Sequence, residues 1–236
     1  IENLSELTDG LSCRVITFGG DSSSDYYPSD LQYDALGNPS FLLHGPNRQE
    51  RSFSLQVPGE HNVYNAMAAI ALADLLAVND AVIMEALRAY TGTDRRFEYK
   101  GSVGGVAVID DYAHHPAEIT ATLKAAAHYP HRKLWCVFQP HTYSRTKAFL
   151  KEFALSLSLA DHVVLAEIYP ARETDDLGMS SALLQQELAA LGKDCHYFPT
   201  FDEIENFLLE NCINGDMLIT MGAGDVVKIG ETLLGN

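Results

Sequence analysis

Two short polar runs carry residue types suited to acid–base and anion chemistry. One is Asp110-Asp111-Tyr112-Ala113-His114-His115-Pro116, and the other is Phe138-Gln139-Pro140-His141-Thr142-Tyr143-Ser144-Arg145-Thr146. Each follows an apolar, strand-like stretch, 105–110 and 134–139. In an open α/β sheet, ligands bind beyond the carboxyl ends of the strands, so both runs belong at one edge. His141 and Arg145 are four apart and share a face if a helix begins near His141. Arg145 then lies near a helix N-terminus, where free backbone N–H groups favour an anion. Taken singly, each piece has an ordinary explanation: Asp111 as a helix cap, His114-His115-Pro116 as a turn, His141 and Arg145 as a solvated helix face. Their convergence at strand ends points to a site. The spacing of these histidines fits no zinc motif, so no metal site is expected from them.

A second signal is Asn62 and Asn65, three apart at an expected helix start and so facing the same way. Carboxamides donate and accept together, which suits the edge of an adenine ring, although Asn62 also suits a helix cap. Arg95-Arg96-Phe97 offers two guanidiniums to a phosphate or a ring face, or else forms a solvated basic linker. Gly222-Ala223-Gly224-Asp225 is half of a dinucleotide fingerprint with Val227 where a third glycine would stand, and reads as a close strand-to-helix turn. The single Gly-Lys step, Gly192-Lys193, is followed by Asp194, so no G-x-x-x-x-G-K-[ST] phosphate loop occurs in the chain.

These residues need elements to hold them. The first sixty residues read as a small antiparallel sheet: a strand at 14–20, a loop at 21–25, a hairpin around Leu36-Gly37-Asn38-Pro39 and an alternating strand at 52–57. Two helices follow, 62–78 and one capped by Asp80 that ends at Gly92. From residue 94 strands alternate with helices. Strands are expected at 105–110, 134–139, 162–168, 195–199 and 217–221, with helices near 117–128, 145–158, 180–191, 202–212 and 225–234. That pattern is α/β, a mostly parallel sheet with helices on both faces.

The chain has 236 residues, suiting one large domain or two modest ones, with 16 Lys+Arg against 32 Asp+Glu, a net charge of −16. Such acidity disfavours nucleic acid and anionic membrane as partners. The charge is segregated, however: residues 95–151 carry nine basic and four acidic side chains, an island of +5 that holds most of the residues above. Cys13, Cys136, Cys195 and Cys212 form no C-x-x-C pair, which argues against a zinc ribbon or disulfide scaffold, and Cys136 reads as a buried thiol. No apolar run reaches the roughly 18 residues of a membrane span. Ile1-Glu2-Asn3-Leu4 carries neither an initiator Met nor a basic signal region, so a cytoplasmic chain that begins at a cut is expected.

In order along the chain, Gly59-Glu60-His61-Asn62-Val63-Tyr64-Asn65-Ala66, Arg95-Arg96-Phe97, the two polar runs, Ile168-Tyr169-Pro170-Ala171 and Gly222-Ala223-Gly224-Asp225 resemble the C-terminal half of a Mur ligase. The asparagine motif is shared across that family, and the His-His-Pro and Gln-Pro-His segments favour its alanine-adding branch. The resemblance implies that 1–93 is the C-terminal part of a central ATPase domain and 94–236 a C-terminal Rossmann-like domain. It implies a ligase that uses ATP and Mg²⁺ to join L-alanine to the carboxylate of UDP-N-acetylmuramate in peptidoglycan precursor synthesis. The reaction passes through an acyl-phosphate and a tetrahedral intermediate, both rich in negative charge that cationic groups stabilise.

Carried over by position, Asn62 and Asn65 contact adenine, and Arg95 or Arg96 and Asp111 meet the nucleotide, Asp111 on the ribose. Tyr112, His114, His141 and Arg145 face the alanine. His114, His141 and Arg145 act at the reacting centre through orientation and charge rather than as nucleophiles. Thr142 departs from relatives that carry Arg there, which leaves Arg145 as the main guanidinium of its segment. The phosphate loop and metal ligands would lie before Ile1, so the chain alone is expected to be inactive. A family member that recycles murein tripeptide, a stand-alone adenine-nucleotide-binding regulatory module, and, from the sheet pattern alone, a nicotinamide-dependent oxidoreductase remain alternatives.

Overall fold

A computed structural model describes residues 4–46 and 50–235; Ile1 to Asn3, on which the expected cut start falls, lie outside them. The described chain divides into two compact units, residues up to 34 with 38–91, and 35–37 with 92–236.

The first unit contains α1 (Leu4–Thr8), β1 (Tyr27–Tyr33), β2 (Pro39–His44), β3 (Glu50–Ser54), α2 (Glu60–Leu75) and α3 (Asp80–Ala89). Its three strands pair antiparallel in the order β1-β2-β3. Along β2 the buried residues alternate, so Phe41 and Leu43 enter the same core as Val63, Met67 and Ile70 of α2. Residues 14–20 form no strand, contrary to expectation. Thr17 and Asp25 bond each other through side chain and backbone, and only a single bridge, Phe18 to Tyr26, remains. Side chains that satisfy the backbone locally compete with a ladder. Likewise α3 is capped by Asn79, whose side chain accepts from the Ala81 N–H, and not by Asp80. Asp80 instead takes Arg51, which also bridges to Asp74 of α2. The helix ends at Ala89, before Gly92.

The second unit runs β4 (Glu98–Val103), β5 (Val106–Asp111), α4 (Pro116–Ala126), β6 (Leu134–Phe138), α5 (Tyr143–Ala148), α6 (Leu150–Leu157), β7 (His162–Leu165), α7 (Ser181–Ala190), β8 (Asp194–Tyr197), α8 (Phe201–Asn211), β9 (Met217–Met221) and α9 (Val227–Leu234). The sheet order is β4-β5-β9-β6-β7-β8, parallel throughout except for the antiparallel edge strand β4. Every residue of β6 and β9 is buried, as continuous apolar strands covered on both faces should be. One apolar cluster gathers Ile119, Phe153 and Leu184, and another Val108, Ile204 and Ile229, so helices cover both faces.

Strand β4 is an addition to the expected set. Its polar sequence is interrupted at Gly101, where the register slips and any Cβ would meet Leu234 at 3.2 Å, which hid it from pattern reading. The helix expected over 145–158 breaks at Phe149, whose ring packs against His115 and Phe153. The helices that follow β5 and β6 pack on one face of the sheet and the helix that follows β9, which lies between them, packs on the other. This is the crevice where doubly wound sheets bind ligands.

Candidate functional site

In the second unit, the segments after β5, β6 and β9 meet at the carboxyl edge. Gly222 N–H donates to the Asp111 carbonyl at 3.0 Å and Gln139 N–H to the Met221 carbonyl at 3.0 Å. A Cβ on Gly222 would lie 2.7 Å from the Gln139 carbonyl, and one on Gly224 would meet Gln139 Oε1 and Tyr169. The glycines of this turn therefore serve close approach between backbones.

Arg95 ties these segments together. Its Nε donates to Asp110 Oδ2 at 2.9 Å, and its two terminal nitrogens donate to the carbonyls of Gly224 and Gly222 at 3.1 and 2.8 Å. Its guanidinium lies 4.8 Å from the Tyr112 ring centroid, and its carbonyl accepts the Tyr112 N–H. Asp110 is fully buried and accepts also from Thr220 Oγ1 at 2.7 Å. Of the two arginines expected to meet a nucleotide, Arg95 is thus spent inside the protein, and Arg96 is the exposed one. Asp111, 4% exposed, accepts the backbone N–H groups of Phe97 and Ala113, each at 2.8 Å. It pins the two loops and does not cap α4, a place taken by His115. Burial pushes the carboxyls of both Asp110 and Asp111 upward, partly offset by these donors.

Tyr112, His114, His141 and Tyr169 form a row of rings: Tyr112 edge-on to His114 at 5.5 Å, His114 to His141 at 5.9 Å, and His141 stacked on Tyr169 at 5.6 Å. His141 Nδ1 and one terminal nitrogen of Arg145 are buried without a partner in the protein. Burial, then the Arg145 charge, hold the His141 imidazole below its ordinary pKa. The anion-friendly helix start expected beside Arg145 is otherwise employed. Ser144 N–H donates to Glu173, Arg145 N–H reaches Thr142 Oγ1 at 3.4 Å, and Thr146 N–H donates to the Thr142 carbonyl. The positive charge offered here is the guanidinium. Thr142 holds φ at +67°, an uncommon conformation for a β-branched residue, and so turns the chain between His141 and Arg145. Glu118 and Glu173 were not singled out from sequence, and Tyr169 entered only within the Ile168-Tyr169-Pro170-Ala171 segment. Glu118 had a signal, four residues after His114, whereas Glu173 lies 29 residues from the Ser144 it binds.

In the first unit, Asn62 and Asn65 border a groove of about 370 Å³ whose other walls include Leu55, Val57, Ala69, Leu87 and Tyr90. Asn62 does not cap α2: its Nδ2 donates to the Pro58 carbonyl, and its Oδ1 accepts from Asn65 Nδ2 at 3.1 Å. An apolar slot with two carboxamides at its rim suits a flat, hydrogen-bonding ring such as a purine.

A parallel sheet with an antiparallel edge, and unpaired guanidinium and imidazole nitrogens at its switch point, define a doubly wound α/β domain. The chain belongs to the Mur ligase family: residues 95–224 match the Mur ligase, glutamate ligase domain, and residues 1–73 the Mur ligase middle domain. It is 55% identical over 235 residues to the UDP-N-acetylmuramate–L-alanine ligase of Lachnospira eligens, covering 99% of this chain and 51% of that protein. The crystal structure of the UDP-N-acetylmuramate–alanine ligase of Thermotoga maritima matches with a TM-score of 0.79 at 29% identity, covering 93% of this chain and 47% of that one. A murein peptide ligase of Psychrobacter arcticus matches at 0.67 and 26% identity, covering 93% and 45%. The chain spans about half the length of the curated relatives it matches. Among the described residues, no helix is long and apolar enough to cross a membrane.

Proposed function

We propose that this chain is the second half of a UDP-N-acetylmuramate–L-alanine ligase, acting in the cytoplasm on small-molecule substrates. Residues 1–93 are then the end of a central ATPase domain and 94–236 the domain that brings the amino acid. The observation that carries this reading is the buried Arg145 nitrogen without a partner, beside the equally unpartnered His141 Nδ1. Such atoms need an acceptor, and a carboxylate or a developing oxyanion supplies one. The 55% identity to an alanine-adding relative supports L-alanine as the amino acid.

The groove at Asn62 and Asn65 fits the adenine of ATP, which supplies the activation of the UDP-N-acetylmuramate carboxylate. In the second unit, Arg96 offers an exposed guanidinium to a phosphate group. Tyr112, His114, His141 and Arg145 orient L-alanine and stabilise negative charge at the reacting carbon. Among the described residues, no three His, Cys, Asp or Glu are grouped to hold a metal ion.

Two measurements follow. Replacing both Asn62 and Asn65 by Ala is expected to weaken ADP binding to the 236-residue chain by about 10- to 100-fold, since each lost carboxamide pairing costs about 1 kcal/mol. Titration calorimetry showing unchanged affinity would remove the groove from the reading. A chimera joining the first half of the Lachnospira eligens ligase to this chain should prefer L-alanine over murein tripeptide by at least about tenfold in kcat/KM. The reverse preference would favour the recycling ligase.

A further inference from the structure

His114 and His141 are neighbours, yet their surroundings differ. Two oxygen acceptors converge on His114 Nδ1, the Tyr112 carbonyl at 2.9 Å and Glu118 Oε2 at 3.5 Å. A ring nitrogen that faces acceptors carries the proton, so the neutral imidazole is the Nδ1–H tautomer and its lone pair is on Nε2. Glu118 Oε2 also accepts the His114 backbone N–H at 3.0 Å, so one carboxylate holds both main chain and ring. Glu118 stands in the first turn of α4, where a helix start favours negative charge. The other titratable groups at this ring are Tyr112, edge-on to it, and His141 on the segment after β6. His141 has no carboxylate in hydrogen-bond contact. It is hemmed in by Arg145 and Tyr169, its Nδ1 is unpaired, and burial disfavours its charged form. Of the two imidazoles, His114 is the one with a carboxylate beside its ring.

We infer that Glu118 is a positioning residue that keeps His114 in the tautomer whose Nε2 takes a proton from the incoming amino group. This rests on the ligase reading above. In the step, an N–H bond of the ammonium breaks and the proton passes to Nε2. The electron pair left on nitrogen forms the new bond to the acyl carbon while the carbonyl π pair moves to oxygen; collapse of that tetrahedral oxyanion breaks the bond to phosphate, which leaves, and the second proton passes from nitrogen to solvent. The imidazolium that results is stabilised by the Glu118 carboxylate, which lies beside its other N–H.

Long-range ¹H–¹⁵N spectra of the 236-residue chain above the imidazole titration range read the tautomer directly, with His114→Asn supplying the assignment. The expected pattern is a protonated Nδ1 and an unprotonated Nε2. In the chimera, Glu118→Gln keeps an oxygen acceptor but removes the charge that favours imidazolium. It should lower kcat/KM and move the acid limb of its pH profile to lower pH, because the carboxylate charge beside the ring is gone. A merely structural role would lower the rate and leave that limb in place. An Nε2–H tautomer, or an unmoved limb, overturns the inference. A wild-type chimera that fails to ligate defeats the ligase reading and the proton transfer with it, while the tautomer compared between the wild-type chain and Glu118→Gln judges the Glu118 contact by itself, an unchanged Nδ1–H fraction assigning the tautomer to the Tyr112 carbonyl alone.

Discussion

Arg145→Ala in the chimeric enzyme is expected to lower kcat/KM by about 10²- to 10³-fold while leaving the stability of the 236-residue chain unchanged or slightly raised. The rate loss follows from removing a preorganised donor aimed at developing negative charge. The stability result follows from the same geometry. A terminal nitrogen of the part-buried Arg145 has no protein partner, so its removal breaks no hydrogen bond there and relieves an unpaired buried donor. Function and stability pulling apart in this way is the mark of a binding residue rather than a scaffold residue. Arg145→Lys keeps a charge but loses the planar fork, and should recover only part of the rate. A variant that loses stability in proportion to activity would reduce Arg145 to a structural role. Steady-state kinetics and urea unfolding together decide it.

Arg95→Ala is expected to give the reverse pattern, a loss of stability of about 3–5 kcal/mol in the second unit. The substitution strands a fully buried Asp110 with Thr220 as its remaining donor and releases the carbonyls of Gly222 and Gly224. Its pH dependence has a definite sign. Burial already raises the Asp110 pKa, and losing Arg95 raises it further. An acid whose folded pKa exceeds its unfolded one takes up a proton more readily when folded, so folding gains as pH falls. The penalty is therefore largest near neutral pH and shrinks as pH drops towards that raised pKa. The single tryptophan, Trp135 on β6, reports unfolding of this unit by fluorescence without interference from the other. A penalty below about 1 kcal/mol, or one that grows in acid, contradicts the assignment of Arg95 as the internal tie.

These two arginines show how far the sequence could be read. The strand-then-helix rhythm after residue 94 and the polar runs closing β5 and β6 were legible because periodicity and strand ends are local signals. Arg95 and Arg96 are adjacent in sequence and look alike. What separates them is Asp110, fifteen residues on, and two carbonyls more than 120 residues away, which no local pattern encodes. Strand β4 was hidden by the slip at Gly101, and the expected strand at 14–20 was undone by Thr17 bonding Asp25. Asn79 displaced Asp80 as a cap although either residue type suits the position. At the site, His114, His141 and Arg145 were nameable from type and spacing. That their helix start is already filled by Glu173 and Thr142 depends on a loop folding back from beyond β7.

Within the proposed enzyme the chain supplies an adenine groove and a cationic amino-acid site, and its sequence contains no phosphate loop. The most direct measurement is mass-spectrometric detection of UDP-N-acetylmuramoyl-L-alanine after incubation with ATP, Mg²⁺, L-alanine and UDP-N-acetylmuramate. The predicted result is product, matched by ADP, from the chimera and none from the 236-residue chain alone. Ligation by the chain alone, or a folded, ADP-binding chimera that makes no product, would contradict it.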